Sequence, residues 1–277
     1  MRGRFRVLNA ISGPHHAEVT TEVRLRPDLI FEADLRTSAH LFFLQYVPLS
    51  LAPMFDLMLR AGDVAIDVGA NEGVYTCYAA RLVGPTGRVV AIEPVPTTVE
   101  RLQRNISRNH LGKIVEVRAE ACGAEQGLVD IWVPNAGHHT SASAGRMDGS
   151  TPIEVPVTTL DEAADGRAVR LVKIDVEGFE AAVLAGATNL LRADEPPVVV
   201  LEVMDSHLRR VGHTTADVIS SLAAAGYECY SLTRHGLQAG APGNDPYAPN
   251  VVALHRTKHT AERQALRDVR WPMDQTC

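Results

Sequence analysis

Three features of the chain predict a doubly wound α/β fold built on a mostly parallel, Rossmann-like sheet. Short apolar runs alternate with helical segments from Asp63 onward. Two successive runs end in or beside an acid, Asp67 and Glu93. Between Asp67 and the next helical segment lies the turn Gly69-Ala70-Asn71-Glu72-Gly73. Strand–helix alternation of this kind closes into a parallel sheet with helices on both faces.

Taken in order, Val23–Leu35 alternates loosely and predicts one or two short strands. His40–Tyr46 and Leu49–Leu59 read as helical, the second stopping at Arg60-Ala61-Gly62, where glycine suits a C-cap. Residues 1–60 are too few for a core of their own and are expected to form a lid or substrate platform. The main domain, 61–256, begins with strand Val64–Val68 and helix Gly73–Leu82. Strand Arg88–Ile92 follows, then helix Thr97–Asn109, with Val99, Leu102 and Ile106 on one face. Strand Ile114–Arg118 comes next. Leu128–Val133 and Glu154–Thr158 read as a paired β-hairpin insertion around the polar loop Pro134–Thr151. The alternation resumes with strand Leu171–Ile174, helix Phe179–Leu191, strand Val198–Val203 and helix Thr215–Ala225. Tyr227–Leu232 and Val251–His255 are the last strands. The tail, 257–277, is polar and charged, and part of it is expected to lack order.

The turn after Asp67 carries the first chemistry. A strand–turn–helix brings backbone close to a nucleotide-like cofactor and aims the helix N-terminal N–H groups at it. DVGANEG is neither G-x-G-x-x-G nor G-x-x-x-x-G-K-[ST], so the cradle for pyrophosphate or triphosphate is missing. It opens on an acid, which repels phosphate and attracts a cationic amino-acid or sulfonium group. S-adenosylmethionine (SAM) therefore suits it better than NAD or ATP. Glu93 ends the second strand, where a carboxylate takes ribose hydroxyls.

The second dense motif is VRLVKIDVEGFE, Val169–Glu180. Asp175 at its strand end faces the reactive end of a cofactor as a partner for the methionine ammonium, a general base or a metal ligand. It and Glu177 are equally suited to capping the next helix. Glu202 ends the following strand, with Asp205 and His207 after it. Asp175, Glu202 and Asp205 form a loose candidate set for a hard cation, but the spacing fixes no ligand set and no metal site is expected. In the insertion loop, Asn135, His138, His139, Ser141 and Ser143 are candidates for binding or deprotonating an acceptor alcohol. A surface connection with no such role is the competing reading. The catalytic candidates are thus Asp175, Glu202, His138 and His139. The cofactor set is Asp67, Gly69, Asn71, Glu72, Thr76, Glu93, Pro94, Glu120 and Asp175.

Composition narrows the function classes. The chain has 277 residues, 45% hydrophobic and 22% charged, as in an ordinary globule. A formal charge of −6 leaves no basic excess for a general nucleic-acid binder. The N-terminus lacks the apolar core of a signal peptide, and no run reaches the length of a membrane span, so a cytoplasmic protein is expected. Cys77, Cys122, Cys229 and Cys277 are scattered and read as free thiols, three of them buried.

These motifs together resemble the FkbM family of SAM-dependent methyltransferases. The likeness rests on IDVGANEGVYT at Ile66–Thr76, AIEPVP at Ala91–Pro96 and KIDVEGFE at Lys173–Glu180. PVTTLDE at Pro156–Glu162 and NVVALH at Asn250–His255 add to it, so coverage runs from about Phe31 to His255. The resemblance implies a seven-stranded methyltransferase sheet ending in an antiparallel hairpin. It also implies O-methylation of a hydroxyl on a small molecule, sugar or polyketide-type natural product, with S-adenosylhomocysteine (SAH) as the product. Family members often carry Ile or an aromatic at the position of Glu72, and HLFFLQYVPLSL departs from the usual glycine-tyrosine-glutamate pattern. A homodimer is one possible assembly. A non-catalytic SAM-binding scaffold and an NAD-linked oxidoreductase are the alternatives; the missing G-x-G-x-x-G disfavours the second.

Overall fold

The computed structural model describes residues 20–25, 28–34, 50–134, 148–233, 236–239, 250–267 and 269. His40–Tyr46, Asn135, His138, His139, Ser141, Ser143 and Cys277 lie outside them.

The strands of the main sheet are β3 (Val64–Val68), β4 (Arg88–Ile92), β5 (Val115–Arg118), β9 (Leu171–Ile174), β10 (Val198–Glu202), β11 (Tyr227–Thr233), β12 (Gly236–Ala239) and β13 (Asn250–His255). Their order is β12-β11-β13-β10-β9-β3-β4-β5. β5, β4, β3, β9 and β10 pair in parallel, whereas β13 runs antiparallel to both β10 and β11. The sheet has eight strands rather than seven, because β12 pairs antiparallel with β11 as an extra edge.

Central strands of a doubly wound sheet are buried on both faces and read as unbroken apolar runs. One face, with Ala65, Val89, Leu171 and Val200, packs under α1 (Ala52–Met58), α2 (Val74–Val83) and α3 (Pro96–Arg108). The other, with Ile66, Val90, Val172, Val199 and Val251, packs under α4 (Leu160–Ala164), α5 (Glu180–Ala185), α6 (Thr188–Leu191) and α8 (Thr215–Ala224). The helix expected over Phe179–Leu191 is therefore split into α5 and α6. Gly186 interrupts it where a Cβ would stand 2.1 Å from the Gly123 carbonyl oxygen. The short helix α7 (Asp205–Leu208) follows β10.

The insertion after β5 is larger than a hairpin. β7 (Gly127–Pro134) and β8 (Ser150–Thr158) pair antiparallel, and β6 (Ala121–Cys122) adds in parallel to β8, giving a three-stranded sheet. At the N-terminus, β1 (Thr20–Leu25) and β2 (Leu29–Asp34) form an antiparallel hairpin that packs on α3. The tail contains order that its polar composition hides: α9 (Thr260–Arg267) docks on α1, with Leu266 fully buried. Cys77 and Cys122 are buried free thiols, but Cys229 is only half-buried. Among the described residues, no helix is long and apolar enough to cross a membrane.

Candidate active site

Ligand sites of open α/β sheets lie beyond the carboxyl ends of the parallel strands. Here those ends carry a row of charged side chains, set by the register of the ladder. Asp67 on β3 is the Cα partner of Lys173 on β9. Ile174 pairs with Leu201, so the next residues, Asp175 and Glu202, emerge side by side. Glu202 is in turn the partner of Asn250 on β13.

Lys173 holds the centre of this row. Its Nζ lies 3.3 Å from Asp67 Oδ1 and 3.3 Å from Asp175 Oδ2, and 5.4 Å from the centroid of the Tyr75 ring. Burial acts to lower the pKa of this ammonium, but Asp67 and Asp175 outweigh it and hold the value above the ordinary lysine range. The other Asp67 oxygen accepts a 2.6 Å hydrogen bond from Thr76 Oγ1. Thr76 is thus a fully buried support for Asp67.

The glycine turn packs closely against the end of the neighbouring strand. Gly69 has φ 74°, and a Cβ there would meet the Asp175 carbonyl oxygen at 1.8 Å. Asn71 has a left-handed φ of 51° and donates its backbone N–H to Glu93 Oε2 at 3.0 Å. Val95 N–H donates to Glu93 Oε1, also at 3.0 Å. Burial raises the Glu93 pKa to about 7, against the lowering effect of these two backbone donors. Among the described residues, the buried Oδ1 of Asn71 and Oε2 of Glu120 have no hydrogen-bond partner. Buried polar atoms of this kind call for a ligand or water. Glu120 follows β5, whose Arg118 carbonyl accepts the Glu93 N–H, so the two acids stand at neighbouring strand ends. Pro94 is half-buried beside Glu93. The Glu72 carboxylate pairs through Oε1 with Arg101 of α3 at 3.1 Å.

Beyond this turn, a cleft of about 140 Å³ is lined by Ser50, Tyr75, Lys173, Asp175, Glu202 and Asn250, among others. Burial, together with the adjacent Asp175, pushes the Glu202 pKa far above the usual carboxylate range. Glu177 has a left-handed φ of 52° and contacts His207 Nδ1 at 2.6 Å, which raises the histidine's pKa. Asp205 does not join the row. Its Oδ1 accepts from Thr215 N–H at 3.1 Å, and Oδ2 pairs with Arg209. The loose cation set of Asp175, Glu202 and Asp205 is therefore not assembled. Among the described residues, no three His, Cys, Asp or Glu side chains are grouped to hold a metal ion.

Sequence reading passed over Lys173 as a site residue. Its signal was present: a lone lysine inside an otherwise apolar strand is costly to bury unless paired.

The sheet order, the glycine turn and the acids at successive strand ends define a class I methyltransferase domain. The methyltransferase FkbM domain profile matches residues 67–229, more than half of the chain. The chain belongs to the FkbM methyltransferase family. It is 30% identical over 201 residues to the 31-O-demethyl-FK506 methyltransferase FkbM of Streptomyces tacrolimicus, covering 61% of this chain and 74% of that protein. It is 32% identical over 133 residues to the hexuronic acid methyltransferase AglP of Haloferax volcanii, 47% of this chain and 52% of the relative. A protein-L-isoaspartate O-methyltransferase of Caenorhabditis elegans is 31% identical over 125 residues, 43% and 50% of the two chains. The chain thus spans only about half the length of the last two relatives. A solved methyltransferase FkbM from Methylobacillus flagellatus superposes with a TM-score of 0.46 at 16% identity, covering 78% of this chain and 53% of its own.

Proposed function

We propose that the chain is a SAM-dependent O-methyltransferase acting on a hydroxyl of a small molecule, sugar or natural product. The observation that carries this reading is the Asp175–Glu202 pair on adjacent strand ends, opening on the cleft beside the acid-and-glycine donor turn.

The donor site suits the cofactor that the family implies. Glu93 would take the ribose hydroxyls, since each of its oxygens accepts one backbone N–H and keeps a further lone pair. The unpartnered Asn71 Oδ1 and Glu120 Oε2 offer further acceptors on the same side. Asp67, Asn71 and Asp175 are the groups proposed to receive the amino-acid portion. Bound there, SAM supplies an electrophilic methyl group on a sulfonium.

The chain's own residues would position the acceptor and take its proton. Asp175 is oriented by Lys173 at 3.3 Å, and Glu202 stands beside it with its proton held by burial and by Asp175's charge. The pair therefore presents an acceptor and a donor to one hydroxyl group. Methyl transfer disperses charge and creates little, so alignment and exclusion of water matter more than a strong base. The relatives are named for 31-O-demethyl-FK506 and for hexuronic acid; both support a hydroxyl-bearing acceptor here. His138 and His139 remain proposed acceptor-side groups.

The test is incubation with SAM and a panel of glycosides, polyols and macrolides, read by SAH release and product mass. Glu202→Gln should lower kcat at least tenfold with SAH affinity unchanged. SAM binding with no transfer to any acceptor would favour the non-catalytic scaffold. Transfer to nitrogen or carbon would overturn O-methylation.

A further inference from the structure

Asparagine is a poor interior residue for a helix, because its amide competes for backbone groups. Yet Asn105 lies fully buried inside α3, and Asn109, which caps its C-terminus one turn further on, is almost fully buried. Asn105 Nδ2 donates to the Glu72 carbonyl of the donor turn at 2.9 Å, while its Oδ1 accepts the Glu32 N–H of β2 at 2.9 Å. Asn109 Oδ1 accepts the Ile30 N–H at 2.9 Å. Its Nδ2 donates to the Ile30 carbonyl at 2.7 Å and to the Asn105 carbonyl at 2.8 Å. Charged pairs surround these amides: Arg104 and Arg108 with Glu32, Arg108 with Glu22, and Arg101 with Glu72.

An apolar side chain at position 105 would bury as well and cost no desolvation. What the amide adds is simultaneous recognition of two backbone edges, one on the hairpin and one on the turn. The turn needs such support. Asn71 sits in a left-handed conformation next to Glu72, one that asparagine tolerates better than most residues but that neighbouring contacts help to hold. The Asn71 N–H in turn orients Glu93.

We propose that Asn105 is a positioning residue for the methyl donor, and that hairpin β1–β2 acts through it as a brace of the donor turn. The proposal rests on the donor site put forward for Asp67–Gly73 and Glu93. In the folded chain, a displaced Glu72 carbonyl shifts Asn71, loosens its hold on Glu93 and weakens the ribose contact.

Calorimetric titration of the full chain with SAH tests this. Asn105→Ala should bind SAH about tenfold more weakly, the equivalent of one lost hydrogen bond. Asn105→Asp keeps the acceptor for Glu32 N–H but loses the donor to Glu72, and it should weaken binding at least as much. Ile106→Ala, next along α3 and in the core, controls for general destabilisation and should bind like the wild type. All four are titrated well below the lowest melting temperature, and Asn105→Asp replaces Asn105→Ala if the latter fails to fold. Wild-type affinity in the Asn105 variants, or equal weakening in Ile106→Ala, overturns the proposal. A wild-type chain that does not bind SAH overturns the donor site itself.

Discussion

Replacing Lys173 with Met should cost about 3 kcal/mol of stability. The substitution keeps an unbranched apolar stem and removes the charge, leaving Asp67 and Asp175 without the ammonium 3.3 Å from each. Breaking a buried ion pair from one side costs roughly 3–5 kcal/mol, because a charge stays behind out of water. The two carboxylates do not contribute equally. The Asp67 side chain is 5% exposed and cannot be rehydrated in place, whereas that of Asp175 is 35% exposed and can recruit water. The estimate therefore sits at the low end of the range and belongs mostly to Asp67. At about 2–4 °C per kcal/mol for a domain of this size, the melting temperature should fall by roughly 10 °C. Denaturant melts of four proteins decide the point: wild type, Lys173→Met, Asp67→Asn and the double variant. Asp67→Asn in the Lys173→Met background should recover stability, since both charges of the pair are then absent. A Lys173→Met variant within 1 kcal/mol of wild type, or a double variant less stable than Lys173→Met alone, would refute the reasoning.

Three further outcomes follow from the donor turn. Burial lifts Glu93 from an ordinary carboxylate value to about 7, so its folded-state pKa lies above its unfolded one. The sign is that of a group whose stabilisation is full below the unfolded value and lost as pH rises through the folded one. Wild-type stability should thus decline between about pH 4.5 and 7 relative to Glu93→Gln, by at most roughly 3 kcal/mol. SAH affinity should move the opposite way, rising as Glu93 ionises, and affinity flat across pH 6–8 would remove Glu93 from the ribose site. Gly69→Ala should destabilise the fold by more than about 2 kcal/mol and abolish SAH binding, because its Cβ would overlap the Asp175 carbonyl at a left-handed φ. Near-normal binding in that variant would show that the turn has another way to close.

Strands β3, β4 and β9 lie within a residue of where patterning puts them, because unbroken apolar runs bounded by acids and glycines have few alternative readings. What escaped was whatever depends on partners distant in the chain. Lys173 stands out in its apolar strand, but its partner is not defined until register sets it against Asp67. Val99, Leu102 and Ile106 mark the apolar face of α3 in the sequence, whereas the backbone partners of Asn105 and Asn109 come from a hairpin far back in the chain. Asp205 belongs by spacing with Glu202, yet Thr215 and Arg209 draw it away. The polar letters of α9 conceal one buried leucine, and α9 is ordered because α1 lies beneath it.

The opposition of Asp67 and Lys173 also bears on how the chain finds its fold. Parallel strands far apart in sequence and uniformly apolar on both faces offer little to tell one alignment from the next. A slip of one residue between β3 and β9 would turn Lys173 to the far side of the sheet, among the aliphatic side chains around Ile66 and Val172. A slip of two would leave two opposite charges stranded in hydrocarbon. Lys173, which lines the cleft, and Asp67 paired with it therefore act as a proofreading mark for assembly, accepting one alignment and rejecting its neighbours.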